Sequence, residues 1–358
     1  MAHLLVDISP HGYGHTSQTS AVVNELVQLL PELRVTVRTT VPHEFLKSRF
    51  QCEFRHIPVA FDFGMKMANA VDVEVEQSAA AYREFHLGWE EKVAREADNI
   101  RLLKPDLLLA NIPYLTLAAA HAAKVRAVGL CCLNWADIYQ HYCAGDSASQ
   151  EIHAQMLVAY NSAECFLKVQ PAMDMPGLKN TRNIAPIARI GRALRCHIAA
   201  NSNQTEGEKL VLIAMGGMEF RLPMESWPHI PGIRWIIPQA WGINRDDTTT
   251  IESLKLTFTD VLATCDAVIT KPGYGTFTEA ACNGVPVLYL PRHDWPEEPY
   301  LVEWLKKNVA CLEVEHSVLL KGETGDLLNQ LLVTPTLPRP SANGAQEAAN
   351  YLQKLMQG

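Results

Sequence analysis

The stretch CDAVITKPGYGTFTEAACNGVPVLYLPR, from Cys265 to Arg292, contains a complete strand, helix and strand. Apolar residues run to Thr270, and a glycine-rich turn follows at residues 272–275. A helical pattern then begins at Thr276 and stops at Gly284, two residues before Pro286 opens the next apolar run. A strand, a crossover helix and a second strand in this order predict a βαβ unit of a parallel sheet.

The same alternation extends through the whole chain and is interrupted once, at residues 170–208, which are rich in Pro, Asn, Arg and Gly. The predicted strands are Leu4–Ile8, Arg34–Thr39, Asp106–Asn111, Ala127–Leu133, Cys165–Val169, Lys209–Met215, Ile233–Ile237, Ala267–Thr270, Pro286–Leu290 and Ala310–Val314. We therefore predict an α/β protein with two doubly wound, Rossmann-like domains facing a cleft. The predicted parts are a first domain over 1–175, a linker over 176–208, a second domain over 209–338 and a C-terminal helix within 339–358, whose return to the first domain stays open.

The composition is that of a folded enzyme and disfavours several other classes. The 358 residues are 48% hydrophobic and 20% charged, with a net charge of −8, so nucleic acid and anionic lipid are not expected partners. Nine cysteines without a Cys-x-x-Cys pair indicate reduced thiols. We find no leader peptide and no apolar run of about 18 residues, so we expect a cytoplasmic protein without a transmembrane segment.

A second glycine turn, ISPHGYGHTS from Ile8 to Ser17, follows the first strand. As a dinucleotide fingerprint it has Ser17 in its third position, and no acidic residue ends the second strand, where Arg38 lies instead. An NAD(P)-linked enzyme is therefore disfavoured. His11 and His15 share a helical face only if the intervening glycines are helical, and the chain has no Asp-x-Asp motif, so we predict no metal site.

One of these histidines is a candidate general base, because an imidazole with a pKa near 6.5 can exchange protons at neutral pH. His15, at the start of the following helix, is our first choice. His11 stays open between a base and a scaffold residue. Asp137, in the segment Asn134–Asp137 after a strand, is a candidate for orienting His15.

Glycines also follow strands in the second domain, where backbone N–H groups can approach an anion closely. Gly216 and Gly217 end one strand, and Gly273 and Gly275 follow another. Two sets of acidic residues have alternative interpretations. Glu279 fits either a capping box with Thr276 or a ribose ligand, and Glu297 and Glu298 fit either a helix N-terminus or a sugar-binding role.

Taken together, HGYGH, the Gly-Gly turn and KPGYGTFTEAACNGVPVLYLPR resemble the GT-B glycosyltransferases. The second half is similar to the peptidoglycan N-acetylglucosaminyltransferase and the UDP-glycosyltransferases. Over the whole chain, LNWADIYQHY and PRHDWPEEPYL add a resemblance to the glycosyltransferase-like N-terminal region of plant L-arabinokinase. The resemblance places at the reacting centre and around the donor Gly14, His15, Gly216, Gly217, Lys271, Gly273, Gly275, Thr276, Glu279, Glu297 and Glu298, the last two standing where relatives carry Asp-Gln or Gln.

The function that this resemblance implies is an inverting, metal-independent transfer of a sugar from a UDP-linked nucleotide sugar to an acceptor hydroxyl. The nucleotide sugar is a co-substrate, and no bound cofactor is expected. The acceptor is expected near residues 61–69 and 134–137, where Trp135 could stack on a sugar ring. A nucleotide-sugar hydrolase and a noncatalytic nucleotide-sugar-binding module are the alternatives. The oligomeric state is left open.

Overall fold

The computed structural model describes residues 2–68, 72–202, 207–216, 221–292 and 294–357. The chain divides into two compact units, each with its own parallel sheet. The first unit comprises Met1–Ile187 and Asn343–Gly358, and the second comprises Ala188–Ala342. The first unit is thus discontinuous in sequence.

The sheet of the first unit is parallel, with the strand order β3-β2-β1-β4-β5-β6-β7. Its strands are β1 (His3–Ile8), β2 (Arg34–Arg38), β3 (Arg55–Ile57), β4 (Leu107–Asn111), β5 (Ala127–Cys131), β6 (Cys165–Val169) and β7 (Thr181–Ile184). The central strands β1, β4 and β5 are buried along their whole length, as near-continuous apolar runs of a parallel sheet should be.

Helices cover this sheet, and the last of them comes from the end of the chain. They are α1 (Tyr13–Leu29), α2 (His43–Arg49), α3 (Val75–His86), α4 (Trp89–Leu103), α5 (Tyr114–Ala123), α6 (Trp135–Cys143), α7 (Ser147–Asn161) and α14 (Gly344–Gln357). Helix α14 packs along α1. At its first residue, Gly344, a Cβ atom would lie 1.9 Å from the carbonyl oxygen of Ala185, so only glycine fits there.

The second unit has a parallel sheet in the order β10-β9-β8-β11-β12-β13. Its elements are α8 (Arg195–Asn201), β8 (Lys209–Ala214), β9 (Ile233–Ile237), β10 (Thr248–Thr250), α9 (Phe258–Thr264), β11 (Ala267–Thr270), α10 (Tyr274–Asn283), β12 (Val287–Tyr289), α11 (Glu298–Asn308), β13 (Cys311–Glu313), α12 (His316–Lys321) and α13 (Gly325–Val333). Its core is formed by aliphatic side chains of the central strands together with Trp227 and Trp235.

The structure differs from the expected organisation in three places. Residues 176–208, expected to be a linker, contain β7 and α8. The sequence predicts a loop at residues 134–137 after a strand, but these residues begin α6, because the Asn134 side chain caps its first turn. The helical pattern of the sequence predicts one helix over 76–103, but the structure has two, because Gly88 adopts a left-handed conformation with φ of 65° between them.

Arg38 lies in a buried ion-pair cluster beneath the carboxyl edge of the first sheet. Its guanidinium donates two hydrogen bonds of 2.7 Å to Asp7 and a third to Glu96, and it stacks on the ring of Phe61. Arg38 is 3% exposed and Asp7 is fully buried. Because two carboxylates already bind this guanidinium, Arg38 is not available to bind a 2′-phosphate. Among the described residues, no helix is both long and apolar enough to cross a membrane.

Candidate active site

Each sheet has one point at which the strand order reverses. In the first sheet this is the β1/β4 boundary, and in the second it is the β8/β11 boundary. Open α/β sheets bind their ligands at the carboxyl ends of the strands beside such a point. His15 in the first turn of α1 and Asn111 at the end of β4 lie at the first boundary, whereas Gly216 and Lys271 lie at the second.

His15 is buried and is held by an amide from the neighbouring strand. Its Nδ1 lies 2.8 Å from Oδ1 of Asn111. The orientation of that amide follows from its other contacts, since Nδ2 donates to Oε1 of Gln18 at 3.2 Å and to the His15 carbonyl at 3.4 Å. An amide oxygen can only accept, so Nδ1 carries the proton and the neutral ring has its lone pair on Nε2. Whenever its ring is neutral, His15 therefore has the tautomer that a general base acting through Nε2 requires.

Two acidic groups influence the proton affinity of His15. Burial alone would lower its pKa, but the thiol of Cys131, the Asn111 amide and the charge of Asp62 raise it to about 9. Sγ of Cys131 lies 3.8 Å from Nδ1. Burial raises the pKa of Cys131, yet hydrogen bonding to Cys132 and His15 and the His15 charge bring it down to about 5. The favoured form of this pair at neutral pH is an imidazolium beside a thiolate.

His11 lies before α1 and is packed among side chains of the same unit. Its ring meets the edge of Trp135, with ring centroids 5.0 Å apart. A Cβ atom on Gly64 would lie 2.5 Å from the His11 ring, so the loop at Gly64 presses directly against it. These contacts favour a scaffold role for His11. Because α1 begins at Tyr13, His11 and His15 do not share a helical face.

Asp137 lies in the first turn of α6, and its described hydrogen bonds stay within that turn. Its backbone N–H donates to the Asn134 side chain at 2.9 Å, and its carboxylate accepts from Nδ2 of Asn134 at 2.9 Å. Asp137 was a candidate for orienting His15, but the group hydrogen-bonded to Nδ1 of His15 is the side chain of Asn111. The carboxylate that does influence His15 is Asp62, whose Oδ2 accepts the indole N–H of Trp135 at 2.8 Å.

Trp135 contacts both histidines through its ring and Asp62 through its indole nitrogen, and it is fully buried. It is therefore part of the packed wall of the site and not an exposed platform for a sugar. Asp62 lies in the expected acceptor segment 61–69; residues 69–71 lie outside the described residues.

Two cations and a glycine gather at the carboxyl edge of the second sheet. Gly216 has φ of 87°, and a Cβ atom there would lie 3.2 Å from Cε of Lys271, so the lysine side chain runs over this glycine. Burial and, to a smaller extent, the like charge of Arg292 together lower the pKa of Lys271 to about 8. Lys271 and Arg292 thus form a concentrated positive field suited to an anion. Gly217 lies outside the described residues.

Helix α10 begins earlier than expected, and this changes the interpretation of Glu279. Its N-cap is Gly273, without a side-chain cap, and its first residue is Tyr274. Thr276 is therefore inside the first turn, so of the two interpretations of Glu279 the capping box with Thr276 is wrong. Glu279 is half-buried and lies about one and a half turns after the helix start, so its carboxylate cannot cap the helix N-terminus.

Gly14 and Gly275 occupy equivalent places in the two units, each as the second residue of the helix that follows a switch-point strand. Apart from the neighbouring residues and backbone of its own helix, no described atom lies within 4 Å of a Cβ placed at either position. Packing within the protein therefore does not require glycine there. Open backbone at a helix N-terminus is typical of a surface that a ligand approaches.

Glu297 and Glu298 are both buried and make local hydrogen bonds. Glu297 accepts the indole N–H of Trp295 at 3.1 Å. The two carboxylate oxygens of Glu298 lie 3.1 and 2.9 Å from the backbone N–H of Arg292. Glu298 therefore fixes the backbone of the segment that carries Arg292, a positioning role that the sequence did not predict.

The described residues contain one group with the spacing of metal ligands, formed by His229, Asp246 and Asp247. It precedes β9 and β10, at the amino ends of those strands and away from the glycine turns. Arg245 donates to both carboxylate oxygens of Asp247, at 2.8 and 2.6 Å, which neutralises the buried member of the group.

Asn111, Asp62, Cys131 and Arg292 are site residues that the sequence analysis did not single out. Asn111 and Cys131 end fully buried strands, and a polar or thiol side chain at the carboxyl end of an apolar run is a signal that could have identified them. Arg292 follows β12 in the same way. Asp62 has no such signal, because its loop reaches the site only through tertiary packing.

Comparisons with known proteins agree with this architecture. No family model matches the chain. It is 23% identical over 355 residues to L-arabinokinase from Arabidopsis thaliana, a match that covers 98% of this chain. The chain spans about a third of the length of that relative, 34%.

Solved glycosyltransferase structures match over nearly the whole chain. CalG4, the calicheamicin glycosyltransferase, superposes with a TM-score of 0.63 at 17% identity, covering 100% of this chain and 94% of its own. The glycotransferase of kitacinnamycin superposes with a TM-score of 0.61 at 13% identity, and the match covers 99% of this chain and 94% of that protein. UGT89C1 of Arabidopsis thaliana, complexed with UDP, superposes with a TM-score of 0.59 at 14% identity, and the match covers 100% of this chain and 95% of that protein. The two parallel sheets and these likenesses show that the chain has the GT-B fold of these glycosyltransferases.

Proposed function

We propose that the protein transfers a sugar, with inversion, from a UDP-linked donor to an acceptor hydroxyl. The observation that carries this proposal is the tautomer of His15. The Asn111 amide holds the proton on Nδ1 and leaves Nε2 as the basic atom, at the switch point of the first sheet. A general base of this kind accounts for about 10²–10⁴-fold in rate.

In the proposed reaction, Nε2 of His15 takes the proton of the acceptor hydroxyl while that oxygen attacks the anomeric carbon of the donor. A new C–O bond forms on one face of the sugar, and the bond from the anomeric carbon to the diphosphate breaks on the other. The diphosphate leaves with the electron pair of that bond, and the configuration at carbon inverts. The products are the glycoside, UDP and a protonated His15.

The second unit supplies the positive field for the departing diphosphate in this proposal. Lys271 and Arg292 are cations at the ends of β11 and β12, and the N-terminus of α10 adds the positive end of a helix dipole. We propose that these groups do what a metal ion does in other transferases, in accord with the absence of an Asp-x-Asp motif from the sequence. Glu279 is the proposed ribose ligand.

A ligand screen tests the donor proposal. We expect UDP, at a hundred times its dissociation constant, to stabilise the protein by about 2.7 kcal/mol, and NAD(P) to have no effect in a thermal-shift assay. Lys271→Met should diminish the stabilisation by UDP more than that by uridine, because only UDP carries the diphosphate. Lys321→Met, at the exposed end of α12, is the matched control and should leave both unchanged.

Product analysis of the same protein separates transfer from hydrolysis. With a UDP-sugar that stabilises the protein, we expect a glycoside of inverted configuration only when a hydroxyl acceptor is present. Free sugar formed at an equal rate without acceptors would identify a hydrolase. Stabilisation by NAD(P) and by no nucleotide diphosphate or its sugar would exclude the proposal altogether.

The pH dependence of kcat/KM should report both halves of the proposed machinery. His15 must lose its proton to act as a base, and its neutral form becomes abundant only as the pH approaches about 9. Lys271 must keep its proton to bind the diphosphate, and its charged form declines as the pH rises above about 8. Because the two effects offset each other between these values, we expect kcat/KM to rise up to about pH 8, to pass through a broad maximum and to fall above about pH 9. Lys271→Arg, which stays protonated, should remove the alkaline limb, and an unchanged limb in this variant would contradict the role of Lys271.

A further inference from the structure

The Nδ1 side of His15 faces a neutral group. Oδ1 of Asn111 can hold the ring in its tautomer, but an amide carries no charge to stabilise the imidazolium that forms when Nε2 takes a proton. In hydrolytic triads a buried carboxylate on Nδ1 performs both tasks. In this protein the stabilising charge has to come from other side chains near the ring.

Asp62 is the carboxylate closest to meeting this need. It is 6% exposed, and its Oδ2 accepts the indole N–H of Trp135 at 2.8 Å. The Trp135 ring lies against His15, with centroids 5.8 Å apart, and contacts His11 on its edge. Oδ1 of Asp62 is buried and makes no hydrogen bond to any residue that the structure describes. A buried carboxylate with one oxygen left without a hydrogen bond is stabilised by a positive neighbour.

The other ionisable groups around Asp62 do not supply that positive charge. Tyr82, Tyr114 and Tyr160 face it from α3, α5 and α7, and burial raises the pKa of each phenol well above 10, so they stay neutral. His15 is the cation whose charge acts on Asp62. Burial raises the pKa of Asp62, to about 6, against the opposing effects of the nearby Ser9 hydroxyl and His15.

Cys131 is the second acidic group at the ring. It is 1% exposed at the end of β5, and its Sγ lies 3.8 Å from Nδ1 of His15 and 4.0 Å from Sγ of Cys132. The side-chain amide of Gln18 donates to Cys132 at 3.3 Å, which fixes the second thiol in the same network. A thiol between an imidazole and another thiol is well placed to ionise.

We propose that Asp62 and Cys131 are the charge partners of His15, two positioning residues that together replace a carboxylate on Nδ1 and stabilise the imidazolium form of the base. This inference rests on the proposed function, in which His15 is the base. The proton moves only from the acceptor oxygen to Nε2. Asp62 and Cys131 stay ionised during the step and act through charge alone.

The proton affinity of His15 can be measured in the free protein, without knowledge of the acceptor. We would titrate the histidine Cε1–H signals by NMR and assign His15 by the signal lost in His15→Gln. Asp62→Asn and Cys131→Ser each remove one charge with little change of shape. We expect each to lower the pKa of His15, and the double variant to lower it further. At neutral pH each should raise the neutral fraction of His15.

The chain offers a matched control for each substitution. Asp137→Asn removes another half-buried carboxylate of the same unit, and Cys143→Ser removes another buried thiol, whose pKa burial raises to about 11. Neither should move the pKa of His15. Thermal melting separates structural damage from the expected effect, and Cys131→Ser, which exchanges one atom, tests the proposal by itself if Asp62→Asn does not fold.

A pKa of His15 that moves no more in Asp62→Asn and Cys131→Ser than in the two controls would overturn the inference and leave the proposed transfer intact. Failure of the proposed function alone would give a different result. Should the pKa fall as expected while the protein binds no nucleotide, the charge partnership stands and the proposed function fails.

Discussion

His15→Gln should lower the rate of sugar transfer by about 10²–10⁴-fold while leaving the stabilisation by UDP in place. Glutamine keeps an amide that can hydrogen-bond to Asn111, but it cannot take a proton from the acceptor hydroxyl. The measurement is kcat at several pH values together with the thermal shift produced by UDP. A base that acts only in the chemical step affects kcat and kcat/KM alike.

His11→Gln is the informative comparison, because the two histidines lie four residues apart and both contact Trp135. We expect this variant to melt at a lower temperature, because it disturbs the packing of His11 against Gly64 and Trp135. We expect it to lose much less activity than His15→Gln. A large loss of kcat in His11→Gln at unchanged stability, with only a small loss in His15→Gln, would assign the base to His11 and refute our choice.

Arg38→Met should destabilise the first unit by about 3–5 kcal/mol. Methionine fills much of the same volume, but it leaves Asp7 and Glu96 buried without the cation that both now bind. Uncompensated charge in the interior is among the costliest defects that one substitution can create. Hydrogen exchange followed by mass spectrometry measures the change in each unit, and peptides from residues 188–342 provide an internal reference.

Arg83→Met provides the surface counterpart. Arg83 and Asp146 form an ion pair in the same unit, but both side chains are 53% exposed, and pairs of this kind contribute about 0–1 kcal/mol. If Arg38→Met cost no more than Arg83→Met, the buried cluster could not be the main stabilising element under the carboxyl edge of the first sheet.

Sequence patterns located all the inner strands of the two sheets and one edge strand, β13. Ten predicted strands correspond to β1, β2, β4, β5, β6, β8, β9, β11, β12 and β13. The three that were not predicted, β3, β7 and β10, are short edge strands that carry exposed or half-buried polar residues. Edge strands are defined by a neighbour on one side only, so their own sequence holds little hydrophobic signal.

The candidate site shows a similar division. His15 was singled out as a candidate because it lies in a glycine turn that follows an apolar strand, and Lys271 entered only through the resemblance to the GT-B glycosyltransferases. Their partners could not be paired with them, since Asn111, Cys131 and Asp62 are joined to His15 by strand order and loop packing. Asp137 illustrates why residue type alone is not enough. A carboxylate could orient a histidine, but this one accepts a hydrogen bond from Asn134, the N-cap residue of its own helix.

Helix α14 gives the two units different folding requirements. The second unit is a continuous stretch of chain, whereas the first unit needs residues 343–357 to cover α1, the helix that carries His15. During synthesis on the ribosome, the second unit can therefore complete its core while the first still lacks its last helix. The side chain of His15 therefore gains its final surroundings only after the whole second unit has been made.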